Sequence, residues 1–386
     1  MNTGSSRLNR FVALVMLLIC LLISTESFSQ TVIHPTKKNI PVSTDPKFAL
    51  RHQVADHTLW DWNSLDMVSI GVDEGDYSQM IGVIADVEID HRGTIYYADI
   101  VHSQVRSYDY LGKWIANIGA AGHGPGEFRQ PMGVGVFADR AQIMISDFQM
   151  NQIFKREDDT FQFISSHRPK HYSSTGQLCV LDDHYYLLHA GNFSDSQGNS
   201  DIIHKYSLAG DWIDSFGDSY DYDDPFIVSM MMINSFLSCN SEHKTIAIVI
   251  NHIPAMTAYS EQGDRLWQVT FPEYRPDIVE EDIKNGRKYH SVMSKDGSSI
   301  FQSLFSDKKN FYVTYGRQNS SPNRSPPFWF SDNHVFRVDA KTGLGEYLGA
   351  GAPGANSGEH IVAIDGDYRF TITTTGTPQI RIYKPK

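Results

Sequence analysis

The feature that most constrains the fold is a unit of four short strand patterns that recurs along the chain. The first copy covers about residues 83–119, and its second strand pattern, Ile95–Asp99, has a counterpart 48 residues later at Ile143–Asp147. Turns containing Asp and Gly, such as residues 90–93, separate the strands, as hairpins require. Four more copies follow, diverging in sequence but keeping the order of strand patterns.

The first and second copies are joined by a glycine-rich crossing, Trp114–Pro131. Its glycines permit positive φ and close backbone approach, and Pro125 cannot continue a strand ladder. Phe128 supplies an apolar plug after the turn. A glycine-rich loop can also cradle a phosphate, but that role needs a helix to follow. Residues 132–137 have a strand pattern instead, so we interpret the crossing as a link between repeated sheets.

The two ends of the chain predict that the repeats close into a ring. The sixth copy lacks its fourth strand, whereas an unpaired strand pattern at residues 65–70 precedes the first complete copy. Because an open array would expose sheet edges, the early strand is expected to complete the last sheet. Units of about 40–65 residues with four strands are typical of propellers. The predicted fold is an all-β, six-bladed β-propeller with four-stranded antiparallel blades.

The crossing and the repeated strands resemble the NHL-repeat and TolB-like six-bladed propellers, especially the secreted propeller proteins of Bacteroidetes. The matching segments are the glycine-rich crossing, Tyr97–Asp99, Ile145–Asp147 and Asn151–Phe154. The resemblance covers about residues 66–164. It implies the propeller fold, while members of such families bind proteins, RNA or glycans or act as hydrolases or lyases. Because one fold hosts many functions, the resemblance does not fix the activity.

The N-terminus has the pattern of a secretory signal peptide at residues 1–29. Arg7 and Arg10 precede an apolar run too short to span a bilayer, and Ser27-Phe28-Ser29 is a small-x-small cleavage site. Lipidation at Cys20 is disfavoured because bulky residues precede it. We expect export to the periplasm or medium, an extended lead-in at residues 30–58, and the propeller at residues 59–386.

The net charge and the cysteine content limit the possible partners and sites of the protein. The chain has 45 acidic and 33 basic residues, a net charge of −12, which argues against nucleic acid and anionic membranes as partners. Membrane insertion is not expected, and we expect a monomer. Cys179 and Cys239 form either a disulfide, which an exported protein can keep, or two separate buried thiols. Their spacing does not fit a Cys-x-x-Cys metal site.

Several acidic residues have alternative interpretations. Asp99 and Asp147 occupy equivalent places in two blades, which favours a structural role in capping turns over a role in a site. Residues 217–225 contain four aspartates, Asp218, Asp221, Asp223 and Asp224. Such a loop can hold Ca²⁺, but it lacks the glycine and closing glutamate of an EF-hand loop. We expect a solvated run of charges and no cofactor, with a divalent cation as the alternative.

Two insertions interrupt the blade pattern. Residues 276–286 are predicted to form a short helix with Asp277 as N-cap, Glu280 at N3 and Gly286 at its end, followed by Arg287. The second insertion, residues 320–331, is rich in Pro and Ser and contains Phe328-Trp329-Phe330. Long loops often carry binding sites, so Arg287 and Trp329 are predicted to contact a ligand. Alternatively, the aromatic residues pack the second insertion onto its blade.

Polar residues near the beginnings of the innermost strands are the other candidate site. By register these residues surround the central funnel; they are Asp86, Gln177, Gln302, Glu359 and His360. We predict that Asp86, Gln177, Gln302 and His360 contact the ligand. Related hydrolases and lyases hold a divalent metal in the funnel, but these residues do not match such a ligand set residue by residue. The chain also has no Gly-x-Ser-x-Gly, His-Glu-x-x-His or Walker A motif. The favoured function is non-enzymatic binding of a protein or glycan on the face that bears the insertions. The alternative is a metal-assisted hydrolase or lyase.

Overall fold

The computed structural model describes most of the chain after residue 44. The described residues are 31–33, 45–52, 61–75, 79–138, 140–147, 149–171, 176–189, 201–218, 228, 231–232, 235–284, 287–293, 297–318, 330–352, 358–373 and 376–386. The predicted signal peptide and Cys20 lie outside them, as do Trp329 and Asp221, Asp223 and Asp224.

The described chain is built from short strands and two 3-10 helices, Pro46–Phe48 and Trp62–Ser64. In chain order the strands are β1 (Thr31–Ile33), β2 (Leu65–Ile70), β3 (Ile84–Ile89), β4 (Ile95–Asp99), β5 (Gln104–Tyr108), β6 (Trp114–Ile118), β7 (Ala120–Ala121), β8 (Glu127–Phe128), β9 (Pro131–Val136), β10 (Gln142–Asp147), β11 (Met150–Glu157), β12 (Thr160–His167), β13 (Leu178–Leu181), β14 (His184–Leu188), β15 (Asp201–Ser207), β16 (Trp212–Asp218), β17 (Phe236–Asn240), β18 (Thr245–Val249), β19 (Ala255–Ser260), β20 (Arg265–Thr270), β21 (Ile278–Lys284), β22 (Arg287–Met293), β23 (Ser299–Ser306), β24 (Asn310–Gln318), β25 (Phe330–Asp339), β26 (Gly345–Ala350), β27 (Glu359–Asp365), β28 (Tyr368–Thr373) and β29 (Gln379–Pro385).

Six four-stranded antiparallel sheets form the blades of a propeller. Blades 1 to 5 are β3–β6, β9–β12, β13–β16, β17–β20 and β23–β26, each in sequence order. The sixth blade has the order β2-β29-β28-β27, with Val68 opposite Ile382. The predicted six-bladed fold and its closure by the early strand are both confirmed.

Apolar clusters between neighbouring blades hold the ring together. Where blade 6 meets blade 1, Ile70, Tyr97 and Ile380 belong to one buried cluster. Between blades 4 and 5, Val269 and Phe301 lie in another. The cluster between blades 6 and 1 joins strands from opposite ends of the described chain, so its hydrophobic contribution to stability depends on a closed ring.

The glycine-rich crossing folds as a compact link between blades 1 and 2. The Glu127 carboxylate accepts hydrogen bonds from the backbone N–H groups of His123 and Gly124, at 2.9 and 2.8 Å. Phe128 is fully buried against both blades. Gly119 has φ +70°, and a Cβ there would lie 2.3 Å from the Phe128 ring, so both its backbone and its packing require glycine.

The predicted helix at residues 276–286 is wrong. Residues 278–284 form strand β21, which lies between β1 and β22 in a three-stranded sheet, with Val32 opposite Glu280. The strands β21 and β22 flank Asn285-Gly286, a dipeptide that strongly favours hairpins. Pairing with two neighbouring strands overrides the helix-capping pattern of Asp277 and Glu280. Of the described residues, 31–33, 279–284 and 287–292 belong to one compact unit, and the six blades belong to another.

Cys179 and Cys239 are bonded to each other. The Cys179–Cys239 disulfide joins β13 to β17, the innermost strands of blades 3 and 4, with Cα atoms 5.6 Å apart. Of the two alternatives left open by the sequence, the structure therefore contains the disulfide. It covalently links consecutive blades beside the central channel.

Among the described residues, none belongs to a helix with the length and apolar character needed to cross a membrane.

Candidate functional site

A cavity of about 600 Å³ lies at one end of the central channel, where each innermost strand turns into the second strand of its blade. All six blades line it, chiefly through the ends of β3, β9, β13, β17, β23 and β27 and the turns that follow. Its volume falls within the range of about 300–1,000 Å³ typical of ligand sites. The cavity is therefore the candidate functional site.

The wall of the cavity combines small and aliphatic residues of the innermost strands with charged residues, most of them in the turns. It includes Gly135, Ser238, Val362 and the Cys179–Cys239 disulfide. Gly135 lies so close to blade 3 that a Cβ there would be 2.5 Å from the Leu178 side chain. Small residues thus let the innermost strands approach each other while leaving space on the channel axis.

Glu88 is the ionisable residue that stands out in this wall. Two ionisable residues of the innermost strands line the cavity, Glu88 and Asp365, and Asp365 accepts a hydrogen bond from the Tyr110 hydroxyl. Burial and the neighbouring Asp86 carboxylate raise the pKa of Glu88 to about 8. Within the described part of the chain, Glu88 forms no ion pair with a basic side chain. The cavity therefore holds a carboxyl group that has no cation from the protein beside it.

The charged side chains around the mouth, in contrast, are largely paired with one another or with tyrosine. The pairs are Arg140–Asp183, Lys244–Asp182, Arg156–Asp90 and Tyr110–Asp365. Lys308 and Lys309, in the turn of blade 5, are exposed. The mouth thus carries mixed charge, whereas the deeper wall carries the Glu88 carboxyl.

The four predicted funnel residues lie on innermost strands or just before them. The Asp86 carboxylate accepts hydrogen bonds from the N–H groups of Val87 and of Val134 on blade 2, at 3.0 and 2.8 Å, and burial raises its pKa to about 6. Burial lowers the pKa of His360 to about 4, so this imidazole is neutral at pH 7. Gln177 precedes β13 and is half-buried. Asp86 thus has a structural contact that bridges two blades.

Gln302 is the most unusual of these residues. It lies at a bulge in β23, between Phe301 and Ser303, and is 8% exposed. Neither its side-chain oxygen nor its nitrogen has a hydrogen-bond partner among the described residues. A buried amide without partners costs about 1–3 kcal/mol. The innermost strands of blades 6 and 1 also carry register shifts, next to Val362 and Asp86, and such bulges redirect side chains.

Other predicted residues have structural roles or lie outside the description. Asp99 accepts hydrogen bonds from the N–H groups of Gly82 and His102, and Asp147 from that of Arg129, so both aspartates cap loops as predicted. Glu359 is buried in hydrogen bonds within blade 6. The side chain of Arg287 and all of Trp329 lie outside the described residues.

The cavity lies at the other end of blade 5 from Gln318 and Phe330, the described residues on either side of the gap that contains most of the second insertion. The turn after β23, which contains Lys308, lines the cavity. Strand β24 then runs away from that turn to Gln318, which pairs with Phe330 where the chain resumes. Two residues that line the cavity, Glu88 and Val362, are not singled out by the sequence analysis, although the alternation Asp86-Val87-Glu88 on an innermost strand is an available signal.

The part of the chain described here contains no group of three or more His, Cys, Asp or Glu residues arranged to hold a metal ion.

Replacing Glu88 with glutamine is expected to stabilise the protein at alkaline pH. The pKa of Glu88 rises from 4.5 unfolded to about 8 folded, so stability is lost as pH rises through that range. The neutral amide does not ionise, so the gain in stability over the parent should be about 4 kcal/mol larger at pH 9 than at pH 5, at about 1.4 kcal/mol per pKa unit. Urea denaturation at both pH values measures this. Glu157→Gln, at an exposed end of β11, is the control, and a pH-independent effect of Glu88→Gln would contradict the assignment.

Comparison with known proteins identifies the family. A model of the six-bladed β-propeller family DUF5128 matches residues 75–322, well over half of the chain. The chain therefore belongs to this family of six-bladed β-propellers. No curated protein shows significant similarity to it.

Solved structures of similar fold come from two Bacteroides species. A protein described as exported, from Bacteroides fragilis NCTC 9343, has a TM-score of 0.55 at 11% identity, covering 88% of this chain and 99% of its own. A member of the DUF4221 family from Bacteroides vulgatus ATCC 8482 has a TM-score of 0.54 at 10% identity, covering 84% and 99%. Identities this low establish a shared fold alone.

Proposed function

We propose that this protein is an exported, non-enzymatic binding propeller that holds one group of a protein or glycan ligand in the channel cavity. The observation that carries this proposal is the cavity itself, about 600 Å³ in volume and lined by all six blades. Ligand sites are typically concave, mostly apolar and supplied with a few polar groups. The cavity combines aliphatic residues with polar groups, among them the Glu88 carboxyl.

A cavity-filling substitution tests the proposal. Val362 lines the cavity at the bulge of β27, so Val362→Trp should fill much of the space. Leu111→Trp is the matched control, because Leu111 is 69% exposed in the turn between β5 and β6. A panel of glycans and peptides is screened by thermal shift, and hits are quantified by calorimetry. We expect at least a tenfold loss of affinity in Val362→Trp and none in Leu111→Trp; equal affinity in both variants would contradict the proposal.

Export is part of the proposal, and three observations support it. Residues 1–29 have a signal-peptide pattern, a protein of similar fold is described as exported, and the innermost strands carry a disulfide. We propose cleavage after Ser29 without lipidation at Cys20, a NHL/TolB-like propeller domain, and a monomer that binds neither nucleic acid nor membrane. Mass spectrometry of the protein isolated from its native compartment should give Gln30 as the first residue. A lipid-modified Cys20 would contradict this.

A further inference from the structure

We propose that the cavity recognises a cationic side chain, lysine or arginine, of a protein ligand, and that Glu88 is the residue that binds its charged group. This inference rests on the proposed function, because it names the ligand chemistry of the same cavity. It also favours a protein over a glycan as the ligand, because an unmodified neutral glycan carries no cationic group.

The composition of the wall is the first argument. Glu88 lines the cavity together with aliphatic residues of the innermost strands, among them Ile89, Val136, Val180 and Val362. Lysine and arginine bury an aliphatic stem along apolar surface and present a charge at its end. Aliphatic residues and a carboxyl group that line one cavity complement that shape. A divalent cation such as Ca²⁺ needs six to eight oxygen ligands, which this wall does not supply around Glu88.

The balance of charge is the second argument. Six acidic side chains line the cavity, Glu88, Asp90, Asp182, Asp183, Asp307 and Asp365. Three of them form ion pairs, Asp183 with Arg140, Asp182 with Lys244 and Asp90 with Arg156, and Asp365 accepts a hydrogen bond from Tyr110. Asp307 lies in the turn that carries the exposed Lys308 and Lys309. Among the described residues, Glu88 is thus the lining carboxyl of an innermost strand with no such partner, and a carboxyl group in this position favours a cationic ligand over an anionic one.

The protonation state of Glu88 provides a measurable sign of cation binding. Burial holds a proton on this carboxyl at neutral pH, so a bound cation must displace it. Other groups that titrate or carry charge around Glu88 are Asp86 on the same strand, Asp365 at the end of β27, His91 and the charged turn residues named above. Tyr96, opposite Glu88 on β4, donates its hydroxyl to Asp90. Cation binding should therefore release a proton near pH 7 and strengthen as pH rises toward 8.

Calorimetry with matched peptides tests the inference. The probes are short Gly/Ser peptides with one central residue: arginine, lysine, citrulline as the neutral analogue of arginine, or glutamate. We expect the arginine and lysine peptides to bind at least tenfold more tightly than the citrulline peptide. Affinity for the arginine peptide should rise by more than tenfold between pH 6 and pH 8, with proton release detected by comparing buffers of different ionisation enthalpy. Glu88→Gln should remove both the preference and the pH dependence, whereas Glu157→Gln should keep them.

The outcomes separate this inference from the proposed function. Equal binding of the arginine and citrulline peptides, or no binding of either basic peptide, overturns the cation inference. Binding of a neutral glycan or the glutamate peptide that Val362→Trp abolishes also overturns it, while leaving the cavity as a binding site. If Ca²⁺ binds tightly and Glu88→Gln abolishes that binding, the result contradicts an organic cation as the ligand. If Val362→Trp has no effect on any bound probe, the proposed function fails as well.

Discussion

Replacing Glu359 with alanine is expected to lower the free energy of unfolding by about 3–5 kcal/mol, the cost of removing one partner from a buried ion pair. Glu359 is fully buried at the start of β27. Its carboxylate accepts hydrogen bonds from the Thr371 hydroxyl, an Arg381 Nη1–H and the Tyr383 hydroxyl, at 2.6, 2.6 and 2.8 Å. These contacts connect three of the four strands of the blade that closes the ring, and alanine would leave all three donors without this acceptor.

Two further variants separate the buried charge from other effects. Glu359→Gln keeps an oxygen acceptor but loses the charge, so we expect a smaller loss of about 1–2 kcal/mol. Glu346→Ala removes an exposed carboxylate that pairs with Arg337 in blade 5, and such pairs contribute about 0–1 kcal/mol. Guanidinium denaturation of all three variants gives the comparison. Similar losses for Glu359→Ala and Glu346→Ala would show that the buried network does not stabilise the closing blade.

Removing the disulfide should have an effect of similar size. The bond closes a loop with a sequence separation of 60 residues, and the chain-entropy model assigns such a loop about 4 kcal/mol. The double variant Cys179→Ala, Cys239→Ala should lose about this much stability in denaturant, because its unfolded chain is less constrained. The parent treated with a reducing agent should behave in the same way.

The reducing agent also provides the control for this prediction. It should destabilise the parent protein but leave the double alanine variant unchanged, because the variant has no bond to reduce. If the parent is equally stable with and without reductant, and free thiols are detected in the unfolded oxidised protein, Cys179 and Cys239 are not bonded in solution. Such a result would remove the covalent link between blades 3 and 4.

The fold was largely predictable because its strands have local signals and a strong repeat. The pattern shared by Ile95–Asp99 and Ile143–Asp147 is local. The sixth copy lacks a fourth strand, which indicates that the early strand β2 pairs with β29. The helix at residues 276–286 was predicted wrongly, because Asp277 and Glu280 fit a helix-capping pattern. Its strand state depends on pairing with β1, nearly 250 residues away in sequence, and local propensity does not report such pairing.

The candidate site was less predictable, because sequence does not reveal which end of a channel is wide. The sequence predicts ligand contacts for polar residues near the beginnings of the innermost strands, such as Asp86 and Gln302. The cavity lies at the ends of these strands. Its space arises from small or neutral residues, Gly135 and Ser238 among them, which have no conspicuous chemical signature. The pKa of Glu88 also depends on burial within the assembled ring, which no local pattern encodes.

The central claim is that a ligand enters the channel where Glu88 lies, and methyl NMR tests it most directly. Ile89, Val180 and Val362 line the cavity, whereas Ile164 on the outer strand of blade 2 and Ile213 on the outer strand of blade 3 are exposed. Adding the arginine peptide to protein with labelled Ile and Val methyl groups should shift the three cavity signals in proportion to binding. The signals of Ile164 and Ile213 should stay in place. Shifts confined to outer-strand methyls, with the cavity signals unchanged at saturation, would contradict the claim.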